Sequence, residues 1–298
     1  MAKVQLRKCK QTVKTSQANY YTNIPVIAYA KQQVEPYVSC STPQDLEVRE
    51  FSYFLLSGSN DRPVTLQLKG PKGQAFTKTL ARSGYSDVKY SDGMSYKTIG
   101  NVGHLVINNF EDRRIIKQFD SLFTQISATK GLIIDIRDNG GGDGDIAFHI
   151  LAALTNKPFR TSAYKIPHYR SVPGTIMQWE EHDAGTGMPN GKLLYDKPVI
   201  LLISAQTYSA AEDFTVAFDD LKRGKMIGQA TGGSTGQPVS FDLPGGGKAR
   251  ICGKHDMYPD GKEFVGVGIM PDIPVERKAA DLLKGKDAVL VKALEILK

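Results

Sequence analysis

Pro198-Val199-Ile200-Leu201-Leu202-Ile203 leads, through Ser204-Ala205-Gln206, into Thr207-Tyr208-Ser209-Ala210-Ala211-Glu212-Asp213-Phe214. The first run is short, apolar throughout and rich in β-branched residues, which predicts a strand buried on both faces. After Glu212 the apolar positions Phe214, Phe218 and Leu221 recur at helical spacing. A strand that passes directly into a helix is the building unit of an α/β fold, and Ser209 stands at the passage. The first N–H groups of a helix have no partner inside it and point outward. A serine oxygen there can attack a carbonyl while its own turn helps stabilise the oxyanion. The plainer reading is a serine N-cap.

A second segment of the same kind lies upstream. Gly131-Leu132-Ile133-Ile134-Asp135-Ile136-Arg137 reads as a strand and runs into Asp138-Asn139-Gly140-Gly141-Gly142, after which Ile146, Ile150, Leu151 and Leu154 trace a helix face. Three glycines in a row mark backbone that turns sharply or approaches another group closely. A phosphate loop is disfavoured, because no Gly-Lys-Ser/Thr follows the glycines. Further strands are predicted over 104–110, 226–229, 239–243 and 248–252, and a helix stripe at Ile115, Phe119, Leu122, Phe123 and Ile126. A last helix starts near Asp287 and carries Leu290, Leu294 and Leu297. Strand–helix alternation from His104 onward argues for an α/β core.

The N-terminal third reads differently. Residues 1–23 are polar, basic and aperiodic, and are expected to form a disordered leader. Residues 24–90 hold a helix candidate over 25–33 and a polar link over 39–44. A hairpin follows, with 63–68 and 75–80 flanking Pro71-Lys72-Gly73.

Composition narrows the function classes. A chain of 298 residues suffices for one large and one smaller domain. Its apolar residues, 41% of the whole, fall in runs too short for a membrane span. Cys9, Cys40 and Cys252 are too few and too scattered for a disulfide scaffold or a metal site. The net charge of +7 comes largely from Lys3, Arg7, Lys8, Lys10, Lys14 and Lys31, which precede the first acidic residue, Glu35. The remainder is nearly neutral and shows no groove of bases interleaved with aromatics, which argues against nucleic acid. No apolar central region follows the leader's charges, so it does not read as a secretory signal.

Taken together, four segments resemble the tail-specific (C-terminal-processing), tricorn-like serine peptidases: Asp135 to Gly142, Thr207 to Glu212, Gly228-Gln229-Ala230-Thr231-Gly232-Gly233, and Gly266-Val267-Gly268-Ile269-Met270-Pro271-Asp272. They occur in the family's order across roughly 91–298. The resemblance implies a crotonase/ClpP-like strand–helix spiral as a catalytic core over 91–298, preceded by a partial PDZ-like domain over 24–90. In the family the PDZ domain binds an extended peptide end at a sheet edge; only its later half is recognisable here. The resemblance further implies polypeptide substrates cut through an acyl-enzyme, with no metal or organic cofactor. Relatives are commonly exported in bacteria, and the compartment of this chain stays open.

Residue by residue, the resemblance makes Ser209 the nucleophile and pairs the N–H of Gly141 with that of Ala210 as the oxyanion hole. Gly140 or Gly142 can stand in for Gly141, and Asn139 is expected to hold the turn. Glu212 matches the glutamate of a Ser-x-x-Glu motif and either supports catalysis or caps the helix. The general base departs from the pattern. One branch of the family uses a lysine where Ser234 stands here. The other takes a histidine from a helical N-terminal domain, and no Gly-His-Thr-like motif occurs. That branch also places an acid just before the last signature, where this chain has Val265, with Glu263 two residues earlier.

The expectation is therefore a serine-type endopeptidase whose chain carries the nucleophile half of the site. A missing N-terminal helical domain would supply the base, and its absence would leave an apolar patch that favours homo-oligomers. The alternatives are a noncatalytic peptide-binding module of the same fold and an acyl-coenzyme-A enzyme of the related spiral fold. The Ser209–Glu212 motif disfavours the second. The insertion 159–195, with Tyr164, His168, Tyr169, Arg170 and Trp179, either shapes a substrate groove or is a surface loop.

Overall fold

The computed structural model describes every residue except 1–11, 18–19, 71–72, 83–91 and 169–177. The chain divides into two units, Met1–Ser91 with Arg277–Ala288, and Asp92–Glu276 with Val289–Lys298.

In the first unit, strands β1 (Thr12–Gln17), β2 (Tyr20–Pro25), β3 (Val64–Lys69) and β4 (Ala75–Leu80) form an antiparallel sheet in the order β2-β1-β3-β4. The β3–β4 hairpin matches its sequence pattern. The strands β1 and β2 correct the expectation of a disordered leader for the residues they cover. Thr12, Val13, Thr15 and Thr22 favour extended backbone, and β1 pairs with the edge of β3. The rest of the leader lies outside the described residues. Helix α1 (Val26–Tyr29) continues as a wider turn through Val34, and Val26, Tyr29, Ala30, Val34, Leu55 and Val64 make the unit's core. The expected polar link holds the start of a helix instead. Thr42 accepts the Asp45 N–H at 3.1 Å, and Pro43 opens α2 (Pro43–Val48) at a position where its missing N–H costs nothing. Helix α6 (Ala279–Leu283) also belongs to this unit.

The second unit is a mixed α/β fold. Its element order is β5 (Met94–Ile99), β6 (Val102–Ile107), α3 (Arg114–Ser127), β7 (Gly131–Asp135), α4 (Gly144–Ala152), β8 (Phe159–Arg160), β9 (Ala163–His168), β10 (Gln178–His182), β11 (Thr186–Gly187), β12 (Val199–Ile203), α5 (Ala210–Asp220), β13 (Lys225–Gly228), β14 (Pro238–Asp242), β15 (Lys248–Cys252), β16 (His255–Met257), β17 (Ile273–Pro274) and α7 (Ala288–Ile296). The central sheet runs β17-β13-β12-β7-β6-β5, parallel except for the β5–β6 hairpin. Alternate residues of each strand face opposite layers. Leu105, Ile107, Leu132, Ile134, Leu201 and Ile203 pack with the buried faces of α3, α4 and α5. Val102, Ile133, Ile200, Leu202 and Ile227 face Val289 and Ala293 of α7 on the other side. Burial on both faces explains why these strands read as continuous apolar runs.

The insertion 159–195 folds as β8 to β11, with β9 between β10 and β16 in a small antiparallel sheet; Tyr169 and Arg170 lie outside the described residues. The β14–β15 ribbon carries Val239, Phe241 and Ile251 exposed on one face.

Candidate active site

Three loops converge at the carboxyl ends of the parallel strands β7, β12 and β13, the usual place for a site in an open α/β sheet. The loop after β12 is set first. Thr207 donates its N–H to Ser204 O at 2.9 Å and its hydroxyl to Ile136 O at 2.9 Å, which ties the turn to the end of β7. Tyr208 donates its N–H to Asn139 O at 3.0 Å. Ser209 then takes φ 53 and ψ −128 and α5 begins at Ala210. A residue with a side chain seldom adopts positive φ, and a serine forced into a sharp strand-to-helix turn presents its hydroxyl above the sheet. The Ala210 N–H has no hydrogen-bond partner among the described residues, while those of Glu212 and Asp213 donate to Ser209 O at 2.6 and 3.1 Å.

The glycine loop lies directly against this turn. Gly141 has φ +99, and a Cβ on it would stand 2.6 Å from Ser209 Cβ and 3.1 Å from Ala210 N. No side chain fits there, which explains why the sequence spends glycine at this point. The expected oxyanion role of the Gly141 N–H needs correction in this conformation, because that N–H donates to Asn139 Oδ1 at 2.9 Å. The short Asn side chain reaches the N–H two residues on, a local bond that competes with any ligand. The N–H groups of Gly140 and Gly142 carry no hydrogen bond among the described residues. The loop is fixed on its other side by Phe110 N–H to Gly141 O at 2.8 Å and Asp143 N–H to Phe110 O at 2.7 Å.

Glu212 connects the Ser209 turn to the third loop. It is fully buried, at 0% exposure. Its Oε1 accepts from the Thr231 hydroxyl at 2.6 Å and the Gly233 N–H at 2.7 Å. Its Oε2 accepts from the Ser234 N–H at 2.9 Å, the Thr235 hydroxyl at 2.7 Å and the Ser209 N–H at 3.3 Å. Burial pushes its carboxyl up to about 7, with these donors pulling the other way. Both sequence readings of Glu212 meet in this arrangement: it bonds the first turn of α5 and also braces the loop after β13. Thr231 and Thr235 escaped the sequence reading, although two hydroxyls four residues apart within a Gly-rich stretch were a usable signal. Next to Glu212, burial and the neighbouring Asp256 push Asp213 up to about 6, against the Ser162 hydroxyl at 2.7 Å and the Lys254 charge.

No imidazole, amine or carboxylate hydrogen-bonds the Ser209 hydroxyl among the described residues. His104 is buried in β6 and meets Asp135 Oδ2 through Nε2 at 3.2 Å. Burial raises the Asp135 carboxyl, but the Arg137 guanidinium, at 2.8 and 2.6 Å, and His104 overcome that and hold it well below the usual carboxylate range. His149 pairs with Asp120 at 2.7 Å, and His168 and His182 both approach Glu180. His255 and Lys165 engage Glu263, and Lys248 pairs with Asp242 at 2.9 Å. Ser234, in the lysine's expected place, contributes only its backbone N–H to Glu212. The arrangement supplies a strained serine, unpaired N–H groups beside it and a braced helix N-terminus, which together suit attack on a carbonyl.

Comparison with known proteins agrees with this chemistry. The family model for peptidase family S41 matches residues 101–275. The Carboxy-terminal-processing protease of Bartonella bacilliformis is 26% identical over 250 residues, covering 79% of this chain and 55% of that protein. The chain thus spans about half the length of the curated relatives it matches. Among solved structures, mature CPAF superposes with a TM-score of 0.70 at 16% identity, covering 97% of this chain and 81% of that one. The photosystem II D1 C-terminal processing protease gives 0.53 at 21% identity, covering 76% and 59%. Likeness at such identities concerns the fold. The family match extends from the start of β6 to the end of β17 and so takes in all three loops around Ser209; on that ground the chain belongs to peptidase family S41, the tail-specific serine peptidases.

Proposed function

We propose that this chain carries the nucleophile of a serine-type endopeptidase that cleaves polypeptides through an acyl-enzyme on Ser209. The observation that carries the reading is the backbone of Ser209, at φ 53 and ψ −128, between a buried strand and a helix. Ser209 and Glu212 form a capping box, but an ordinary N-cap has extended, negative-φ backbone, so capping alone gives no reason for the strain. In the reaction the Ser209 oxygen adds to the scissile carbonyl and the Ala210 N–H stabilises the oxyanion. A general base takes the Ser209 proton and hands it to the amine as the adduct collapses; water then adds to the acyl-enzyme and, through the same base, returns a proton to Ser209 as the acid leaves. Residues 91–298 act as the catalytic core, which we assign to the crotonase/ClpP-like spiral, and residues 24–90 as a partial PDZ-like domain. Assembly into homo-oligomers belongs to the same proposal.

The general base comes from outside the described residues. A serine without one is a poor nucleophile at neutral pH, and loss of a base costs several powers of ten in rate. The same lack of a partner at Ser209 favours the second reading, a noncatalytic peptide-binding module. Residues 1–298 alone are expected to show negligible hydrolysis of an unfolded test protein while a fluorophosphonate probe labels Ser209 slowly. Absence of labelling under any condition, with the chain folded, would remove the nucleophile assignment and leave the binding module. Steady cleavage abolished by Ser209→Ala would show that the chain holds its own base.

A further inference from the structure

The structure shows how Asn139 holds its turn and how far its bonds reach. It is an amide with 0% exposure in the loop between β7 and α4. Its Nδ2 donates to Ile107 O, the last residue of β6, at 3.1 Å. Its Oδ1 accepts the Gly141 N–H at 2.9 Å, and its main-chain carbonyl accepts the Tyr208 N–H at 3.0 Å. Its own N–H closes the turn on Ile136 O at 3.1 Å. One residue therefore joins the end of a neighbouring strand and the glycine loop through its side chain, and the residue just before Ser209 through its main chain. A buried amide that satisfies both its carbonyl and its amino group fixes geometry strongly, because each unmade bond would carry a desolvation penalty.

We infer that Asn139 is a positioning residue for acyl transfer: it clamps the glycine loop against the Tyr208–Ser209 turn and so sets how Gly141 faces the nucleophile. The inference rests on the proposed reading of Ser209 as the nucleophile. Asn139 touches no reacting atom. It acts on the gap between Gly141 and Ser209, already so narrow that a Cβ on Gly141 would lie 2.6 Å from Ser209 Cβ. Ile107 O and the Gly141 N–H demand opposite partners, a donor and an acceptor. Asn provides both at every pH. An Asp provides both only when protonated, with its O–H toward Ile107 O and its carbonyl toward the Gly141 N–H. Ionised, it places a negative oxygen against a carbonyl oxygen.

That asymmetry gives the test. Asn139→Ala and Asn139→Asp are compared with the wild-type chain by amide hydrogen exchange of the segments 138–143 and 206–211, with β7 as internal reference. Fluorophosphonate labelling of Ser209 is measured on the same samples at pH 5 and 8. In Asn139→Ala both segments should exchange about tenfold faster or more, with β7 unchanged, as expected for a loop opening locally. In Asn139→Asp the same loss should appear at pH 8 and largely disappear at pH 5. The labelling rate of that variant, as a ratio to wild type, should rise about tenfold on the same acidification. Wild-type exchange in Asn139→Ala, or a deficit in Asn139→Asp that is equal at both pH values, would overturn the inference. If Asn139→Ala fails to fold, the pH comparison in Asn139→Asp decides alone. Failure of the wild-type chain to label at all would refute the nucleophile reading separately, since the exchange pattern does not depend on labelling.

Discussion

Replacing Glu212 by Gln tests the brace behind Ser209. The substitution keeps shape and removes charge, and its cost follows from the five donors around the carboxylate. Each oxygen accepts from at least one backbone N–H, that of Gly233 on one side and those of Ser234 and Ser209 on the other. The Gln amino group must therefore face a backbone donor whichever way it is placed, a penalty of about 1–3 kcal/mol. Against this, the variant escapes the burial of a charge. A folded-state value of about 7, raised from 4.5 by burial, corresponds to about 3 kcal/mol against the ionised form. The sign is fixed by linkage. The folded chain holds this proton more tightly than the unfolded chain, so wild-type stability is highest below 4.5 and falls as pH rises toward 7. Gln does not titrate. Urea unfolding from pH 5 to 8 should show the two proteins within about 2 kcal/mol of each other at pH 8. The gap should widen in favour of wild type by about 2–3 kcal/mol at pH 5. A gap that stays constant across the range would mean that Glu212 titrates alike in the folded and unfolded chain, and the burial argument would fail.

Three further outcomes are expected. Ser209→Ala should abolish fluorophosphonate labelling while the free energy of urea unfolding stays within about 1 kcal/mol of wild type, because Ala inherits the same backbone strain. Gly141→Val should abolish labelling too, since a Cβ would stand 2.6 Å from Ser209 Cβ in a backbone of φ +99; wild-type labelling would place the carbonyl pocket elsewhere. Arg137→Met should lower stability by about 3 kcal/mol or more at neutral pH, measured by thermal unfolding, because it strips the buried Asp135 of its bidentate partner. The loss should shrink in strong acid, since a depressed carboxyl stabilises the fold above its ordinary range and that contribution vanishes as pH falls through its folded value.

The core was legible wherever one segment carried its own pattern. The runs at 131–134 and 199–203 are apolar throughout because both faces of those strands are covered, and the α3 stripe at Ile115, Phe119, Phe123 and Ile126 is the buried face of one helix. The strand β5 and the helix starting at Pro43 were missed, since each depends on a partner rather than a period: β5 on its hairpin with β6, α2 on the Thr42 cap. Within the site, the serine turn and the glycines were readable as motifs. The allocation of hydrogen bonds was not. Whether the Gly141 N–H faces a ligand or Asn139 Oδ1 depends on one side-chain torsion, and the Glu212 partners sit about twenty residues further along the chain. Both are long-range or rotameric facts that no spacing rule encodes.

The backbone of Ser209 also bears on how such a site persists over evolutionary time. At φ 53 a glycine rests without strain, whereas a serine costs on the order of 1 kcal/mol or more. A single codon change would thus offer any descendant that no longer needs the hydroxyl a more stable fold. Mutational drift at this position has a direction, downhill toward glycine. Only selection on the oxygen itself opposes it, so a serine kept here against that slope is a running record that the oxygen is in use.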